Sequence, residues 1–518
     1  MHRIRNRYTV GEHVDFTDVW YEDDVLRTEP TLDVTEEQDP TLGDNYRIRV
    51  RKPHRVILTH GNERSRRYAA ETLEHLILHD DLDYGLYEDG PRFDMRGIIE
   101  GFYGEPWTHA DRLDVMSFLE QHHMNTYMYA PKDDPYHRHK WREPYPEDAF
   151  AQLRELIDAA LAHDVDFYFS ISPGNDFNYT KEDDFVALFE KIDAVRSCGV
   201  RHFCLLLDDI DYQLNAADKA AFQTPGQAHA YITNRLHEHL RKHDEQTVLV
   251  MCPTEYHQNV DTPYRNDLKQ HMDPDVLVFW TGYNTVAEYI PNVDGERVRD
   301  YFGHELVLWD NYPVNDMATD MLFLGPLTGR GDQLDRTHTG MVSNPMVQWS
   351  LSKIPIITMS DYMWDPSGYD PEQSFAEAIR DFAGEESFVL PLKRVVSHFR
   401  HTILEYYRDP QLESYVQDRN IDGLIAYYDQ LNDDIRTLDA FPDPRFREQF
   451  QPWWERIVFD HGLLKAMQAD DTATVTRMLS EVPDKQHTTG GNYAIKYAKA
   501  IGLYDGPLYP HQRKNFWE

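Results

Sequence analysis

The sequence predicts an α/β protein built on a (β/α)8 TIM barrel, with a small α/β domain before the barrel and an α-helical domain after it. Three observations carry this reading. From Asp94 to about residue 370, short β-rich apolar runs alternate with amphipathic helical stretches. The runs are almost continuously apolar, as parallel strands covered on both faces must be. Seven or eight such units in about 270 residues is the length a closed barrel needs. A doubly wound open sheet is the structural alternative, but no Gly-rich phosphate fingerprint follows the first strand.

Residues 1–92 carry two strand patterns, YRIRV (46–50) and HRVILTH (54–60), and a helical one, SRRYAAETLEHLILHD (65–80). The acidic stretch 11–45 carries no assignable pattern. In 93–368 the expected strands are RGIIEGF (96–102), NTYMYAP (125–131), DFYFSISP (166–173), HFCLLLDD (202–209), TVLVMCPTEY (247–256), DVLVFWTG (275–282), ELVLWDN (305–311) and TGMVSNPM (339–346). Helices are expected between them, as at 150–164 and 184–198. Over 369–518 strand patterns stop, and amphipathic helices are expected at 376–383, 392–407, 422–438 and 453–469. These could pack on the barrel or join a second copy of the chain.

Composition narrows the partners. The 518 residues are too many for one core, and 41% hydrophobic with 13% aromatic residues is ample for packed domains. No run approaches the roughly 18 apolar residues of a membrane span. The N-terminus, MHRIRNRYTVGEHVDF, has no apolar signal-peptide core, so a cytoplasmic protein is expected. Three cysteines, Cys198, Cys204 and Cys252, form no disulfide framework. A formal charge of −38 disfavours nucleic acid, anionic membranes and strongly anionic polymers as partners.

A barrel of this kind places its active site at the C-terminal strand ends. In order, those ends supply Gly101 and Tyr103; Lys132 and Asp133; Asn175 and Asp176; Asp208, Asp209 and Asp211; Glu255 and Tyr256; Thr281; Trp309 to Tyr312 with Asn315 and Asp316; and Asn344. Carboxylates, amides and aromatics dominate, a set suited to sugar: ring faces stack on Trp and Tyr, hydroxyls bond to Asp and Asn. Asp-Asp occurs seven times in the chain, so the dipeptide alone carries no information. Asp208–Asp209 differs by position, because it ends the apolar run FCLLL. Burial and mutual repulsion there raise one pKa while the other group stays ionised, as a general acid beside a stabilising carboxylate requires.

Other patterns carry less. His239 and His243 form HxxxH without the HExxH glutamate and read as a solvated helix face. His137–Arg138–His139 has no further ligands in view, so no metal is expected. Nothing resembles a GxSxG elbow or a P-loop.

RGIIEGFYGEPW (96–107), YMYAPKDDPYHR (127–138), LLLDDID (205–211), CPTEY (252–256), LWDNYPVND (308–316), LGPLTGR (324–330) and SNPM (343–346) together resemble the ordered motif series of glycoside hydrolase family 84. That family holds the O-GlcNAcases and bacterial β-N-acetylglucosaminidases, some called hyaluronidases. The resemblance spans about 94–365. It implies a retaining, substrate-assisted reaction in which the 2-acetamido carbonyl attacks the anomeric carbon and forms an oxazoline. By motif position, Asp208 would polarise the acetamido N–H, and Asp209 would be general acid and then base. Tyr256 and Trp309 would wall the acetamido pocket, and Gly101 and Lys132 would contact hydroxyls. Asn311 would contact the acetamido or ring region, Asp316 would bind the 4- and 6-hydroxyls, and Asn344 would support that subsite. Tyr103 and Thr281 match pocket positions.

The resemblance implies no cofactor, and as partner a carbohydrate, glycopeptide or glycoprotein with terminal β-GlcNAc. Endo-acting hyaluronidase-type action and a non-catalytic GlcNAc-binding barrel remain the alternatives. The N-terminal region reads as shorter than the family's usual α/β domain, and no β-sandwich module or cell-wall anchor is visible.

Overall fold

The computed structural model describes residues 4–485 and 487–508, so the expected helical stretch lies outside the described residues from 509 onward. Among the described residues seven strands precede the barrel: β1 (Asn6–His13), β2 (Asp18–Glu22), β3 (Val25–Glu29), β4 (Asp33–Gln38), β5 (Tyr46–Arg51), β6 (Arg55–His60) and β7 (Asp83–Asp89). Five of them form a sheet in the order β1–β7–β5–β6–β4, while β2 and β3 make a separate hairpin. In β5 the even positions Tyr46, Ile48 and Val50 are buried and Arg49 and Arg51 face out, the period-2 pattern of a one-sided sheet. Helix Glu63–Leu78 covers that sheet with Tyr68, Ala69, Leu73, Leu76 and Ile77. Its start is fixed by a reciprocal cap, Asn62 accepting from the Ser65 N–H and Ser65 from the Asn62 N–H.

The barrel strands are β8 (Met95–Glu100), β9 (Thr126–Tyr129), β10 (Asp166–Ile171), β11 (His202–Leu206), β12 (Leu249–Cys252), β13 (Leu277–Trp280), β14 (Leu306–Pro313) and β15 (His338–Asn344). All eight neighbours pair in parallel, and β15 closes on β8 through Gly340↔Met95. Ile99, Met128, Tyr168, Cys204, Val250, Phe279, Val307 and Val342 fill the interior. Return helices follow every strand but one. Among the described residues β14 and β15 are joined by irregular chain and a short 3-10 turn, Leu334–Arg336.

Each expected strand and helix of 93–368 overlaps an observed element of the same type, with ends differing by a few residues. Two expectations need correction. The unassigned stretch 11–45 holds β2, β3, β4 and part of β1, all largely exposed and hence without an apolar pattern. The helix expected over 392–407 spans Glu386–His398 only; residues 399–407 form a loop that buries Phe399 and Ile403 without helical bonds and leaves Tyr406 exposed. Helices Pro371–Ala383, Glu386–His398, Ile421–Thr437 and Pro444–Gln468 pack against the barrel's last helix, Trp349–Trp364, directly or through one another. No helix among the described residues is long and apolar enough to cross a membrane.

The N-terminal unit is anchored to the barrel by a buried charge cluster. Arg96 on β8 is 1% exposed and donates to Asp44 at 2.9 Å, while Arg64 reaches Asp44, Asp166 and the Asp164 carbonyl. Burial alone would raise the Asp44 carboxyl, but Arg96, Arg64 and the Asn62 amide outweigh it and bring it down to about 2. A depressed carboxylate adds stability above its ordinary pKa and loses it as pH falls towards the folded value. Replacing Asp44 with Asn would strand two arginines, so Asp44→Asn should lower stability by about 3–5 kcal/mol at pH 7. Urea denaturation checks this, and the variant should lose less stability than wild type between pH about 4 and about 2.

Candidate active site

The C-terminal ends of the barrel strands open into one cavity of about 470 Å³. Asp208, Asp209, Gly101, Tyr103, Lys132, Tyr256, Thr281, Trp309, Asn311, Asp316 and Asn344 all line it. Asp133, Asn175, Asp176, Asp211, Glu255, Tyr312 and Asn315 do not. Asp133 pairs with Arg112, Asp176 with Arg142, and Asn175 accepts the Asp211 N–H. Glu255 holds Thr262 and Tyr212, and Asn315 donates to the Met321 carbonyl. Tyr312 and Asn315 are fully buried, and the others bond to groups outside the cavity lining.

Successive strand ends are tied by a chain of hydrogen bonds. Gly101 N–H, after β8, donates to Asn344 Oδ1 on β15 at 3.3 Å, and Asn344 Nδ2 donates to Asn311 Oδ1 on β14 at 2.9 Å. Asn311 Nδ2 donates to the Thr285 carbonyl after β13 at 2.7 Å, and Thr285 Oγ1 lies 3.4 Å from Tyr256 Oη after β12. Each amide is therefore fixed in orientation. Across the cavity Tyr103 Oη donates to Asp209 Oδ2 at 2.6 Å, and Lys132 Nζ stands 3.6 Å from the same oxygen. The Tyr103 N–H donates to Asp316 Oδ2 at 2.9 Å, and Lys132 Nζ sits over the Tyr103 ring at 4.9 Å.

The adjacent carboxylates stand in unlike surroundings. Asp209 is exposed to the cavity, whereas Asp208 is withdrawn onto the barrel's apolar end. Burial pushes the Asp208 carboxyl up; Lys132 and Arg138 pull the other way, and Asp209 reinforces the rise. Burial also raises Asp316 against two backbone N–H donors, and raises Tyr103 and Tyr256. The Cys252 thiol on the cavity wall is held well above its usual range by burial, which keeps it protonated and non-nucleophilic. The lining contains no histidine.

Trp309 and Gly101 are mutually dependent. A Cβ at Gly101 would lie 2.5 Å from Trp309 Cζ2, so only glycine lets the indole reach this position. Trp309 is 5% exposed, packs edge-on against Phe279 at 5.4 Å, and its buried Nε1–H has no protein partner among the described residues. Next to it, Asp310 and Arg330 form a two-pronged ion pair with both contacts at 2.7 Å, each side chain 2% exposed.

Sequence reasoning missed part of the wall. Tyr283, Asn284, Thr285, Val286 and Glu288 come from the loop after β13, Val314 and Met317 from the segment after β14, and Ile403 from the loop after helix Glu386–His398. For the β13 loop the signal was position after a strand end. Ile403 gave none, since it belongs to a distant segment with helical spacing.

A parallel barrel with paired carboxylates, fixed amides and aromatics at its C-terminal mouth is the architecture of a barrel glycoside hydrolase. A family model described as beta-N-acetylglucosaminidase matches residues 96–393, and the chain belongs to that family. The resemblance to glycoside hydrolase family 84 therefore holds. The chain is 36% identical over 279 residues to the protein O-GlcNAcases of Mus musculus and Rattus norvegicus. Each match covers 53% of this chain and 30% of the rodent enzyme, so the chain spans about a third of their length. Among solved structures, a point mutant of the Thermobaculum terrenum O-GlcNAc hydrolase superposes with TM-score 0.73 at 28% identity, covering 80% of this chain and 94% of that one. The structure of CpGH84B superposes with TM-score 0.74 at 25% identity, covering 88% and 86%.

The Gly101–Trp309 contact makes a specific prediction. Gly101→Ala overpacks the cavity floor and should lower stability by about 1–3 kcal/mol in urea denaturation. Gly462→Ala, whose Cβ meets Met478 at an ordinary 3.6 Å within helix Pro444–Gln468, should be neutral or stabilising.

Proposed function

We propose that the chain is a retaining exo-β-N-acetylglucosaminidase of the O-GlcNAcase type, acting on terminal β-linked GlcNAc through the substrate's own acetamide. One observation carries the reading: consecutive residues at the end of β11 put a withdrawn carboxylate, Asp208, beside an exposed one, Asp209, in a single amide- and aromatic-lined cavity. A substrate-assisted reaction asks for two neighbouring carboxyls, one for the acetamide and one for the glycosidic oxygen, since the enzyme itself supplies no nucleophile; burial raises the one assigned to the acetamide, the reverse of the separation expected from the sequence, in which the general acid is the raised group.

The acetamido oxygen attacks the anomeric carbon while Asp209 gives its proton to the departing glycosidic oxygen, and the C–O bond breaks. Asp208 accepts the acetamido N–H and stabilises the positive charge that develops as the oxazoline ring closes. In the free protein burial raises Asp208, but an N–H donor in the cavity and the Lys132 ammonium both favour its charged form. Water then adds to the anomeric carbon and loses a proton to Asp209, the oxazoline opens, and configuration is retained. Trp309 and Tyr256 flank the acetamide, Asn311 meets the acetamide or ring, Gly101 and Lys132 meet hydroxyls, and Asp316 with Asn344 forms the subsite for the 4- and 6-hydroxyls. Their preset orientations mean that little reorganisation accompanies charge development.

Asp316 and Asn344 line the pocket, and as the subsite for the 4- and 6-hydroxyls they favour a terminal sugar over an internal one. The negative surface charge adds to this preference against an anionic polymer such as hyaluronan. The large protein substrates of the rodent relatives' name are one class of aglycone; small glycosides and glycopeptides are others. A cytoplasmic location accords with the free cysteines, and recovery of the native protein from culture medium would contradict it.

The test is hydrolysis of 4-nitrophenyl β-N-acetylglucosaminide by wild type, Asp208→Asn and Asp209→Asn. Each variant should lose about 10²–10⁴-fold in kcat/KM. The 2-trifluoroacetamido analogue, with its weaker carbonyl nucleophile, should slow the wild type steeply. Equal rates on both substrates would exclude acetamide participation. Hyaluronan chain length followed in parallel should stay unchanged; rapid shortening would favour endo action.

A further inference from the structure

On the outer helix ring, away from the cavity, three metal-binding side chains converge. Asp193 lies near the end of helix Glu182–Arg196, His239 in the last turn of helix Pro225–Arg241, and His243 just beyond it. One ligand atom from each, an Asp193 oxygen and an imidazole nitrogen from each histidine, lie within 4.8 Å of one another. His239 Nε2 is 3.0 Å and His243 Nε2 4.0 Å from Asp193 Oδ1. Ligands around a tetrahedral zinc ion stand about 3.3 Å apart, given bonds of about 2.0–2.1 Å. Small side-chain rotations would bring these three to that spacing.

We infer that Asp193, His239 and His243 form a binding site for a borderline divalent ion of the zinc class, bridging the two helices. Two imidazoles and one carboxylate favour zinc, nickel or copper over magnesium or calcium, which take oxygen ligands. Histidines at i and i+4 project from one face of a turn, so the pair is set before any ion arrives. The His239 ring is further fixed by parallel stacking on Phe189, with centroids 4.1 Å apart and planes 4° from coincidence. Asp193 and His243 remain open to solvent, at 41% and 43% side-chain exposure, leaving an entry path and room for water as a fourth ligand. Arg196 donates to the same Asp193 oxygen at 3.2 Å and is the group an ion would displace.

The location assigns the ion a structural part. Both helices run back from the strands' C-terminal ends, so their last turns lie at the opposite, N-terminal face of the barrel, where side chains serve stability. Among the described residues this is the one such cluster. The comparable i, i+4 pair His75 and His79, with stacked rings 3.9 Å apart, is not part of any such three-group cluster. That pair provides an internal control.

The experiment uses the full chain stripped with chelator, titrated with Zn²⁺ by calorimetry and with Co²⁺ by its visible d–d bands. The expected result is one saturable site per chain. Its affinity should fall at least about tenfold in His243→Ala and in Asp193→Asn and be kept in His75→Ala. Saturating Zn²⁺ should raise Tm in wild type and not in His243→Ala. His243→Ala removes an exposed side chain, so a fold defect does not cloud the comparison. Absence of a one-to-one step, or a step whose affinity in His243→Ala and Asp193→Asn is unchanged from wild type, overturns the assignment.

Discussion

Closure of eight parallel strands forces two opposite demands on neighbouring layers of the same barrel. The interior has to be filled without voids, and Ile99, Met128, Tyr168, Cys204, Val250, Phe279, Val307 and Val342 do this with apolar groups. One layer higher, at the C-terminal rim, the chain leaves the ladder and exposes polar groups above that dry floor. Polar groups in such a place must find partners. The succession Gly101–Asn344–Asn311–Thr285–Tyr256 provides them, strand end by strand end, and in doing so orients the side chains that face the cavity. The apolar floor also raises Asp208, because a carboxylate loses solvation there. The site's electrostatics thus follow from how the barrel is packed beneath it.

The alternation of β14 shows how one strand serves both layers. Val307, Trp309 and Asn311 share the face towards the barrel axis, so Leu308 and Asp310 point outward into the helix layer. An outward aspartate at that depth is a liability unless neutralised, and Arg330 meets it with two parallel hydrogen bonds. A one-residue slip would bring Asp310 to the inner face in place of Trp309 or Asn311 and part it from Arg330. The glycine at 101 completes the arrangement from across the barrel by leaving room for the indole.

The barrel was legible in the sequence because its strands are buried on both faces and so must be apolar throughout, as in FCLLL before Asp208. Position at a strand end then singled out Asp208–Asp209 among seven identical dipeptides. The edges of the molecule were not legible for the complementary reason. In β4, Asp33, Glu36, Glu37 and Gln38 lie on an edge strand paired only with β6, where packing places no demand on side-chain type. The segment 392–407 misled in the opposite direction. Ile403, Leu404, Tyr406 and Tyr407 continue the apolar spacing of the preceding helix, but Thr402 and Glu405 close a local turn and the helix ends at His398. Periodicity records which residues seek burial; it does not record whether a helix is what buries them.

That loop bears on whether the barrel and the helices after it are separable. The connection from β14 to β15 lacks a return helix, so its irregular backbone needs partners from elsewhere. They come from later in the chain. Leu324 N–H donates to the Phe399 carbonyl, Leu327 N–H to Thr358 Oγ1, and Tyr369 Oη to the Leu327 carbonyl. Trp453 Nε1 and the Thr488 N–H both reach the Asp320 carbonyl, and Arg400 closes over this region through Glu372 and Glu405. The segment so held carries Asp316 and Met317 into the cavity, and the loop that holds it adds Ile403 to the wall. A barrel cut off after Trp364 would keep Asp208 and Asp209 but lose the supports of the chain that presents Asp316. The helical region is therefore part of the site's construction, and the unit that builds the cavity is the barrel together with the helices that replace its missing one.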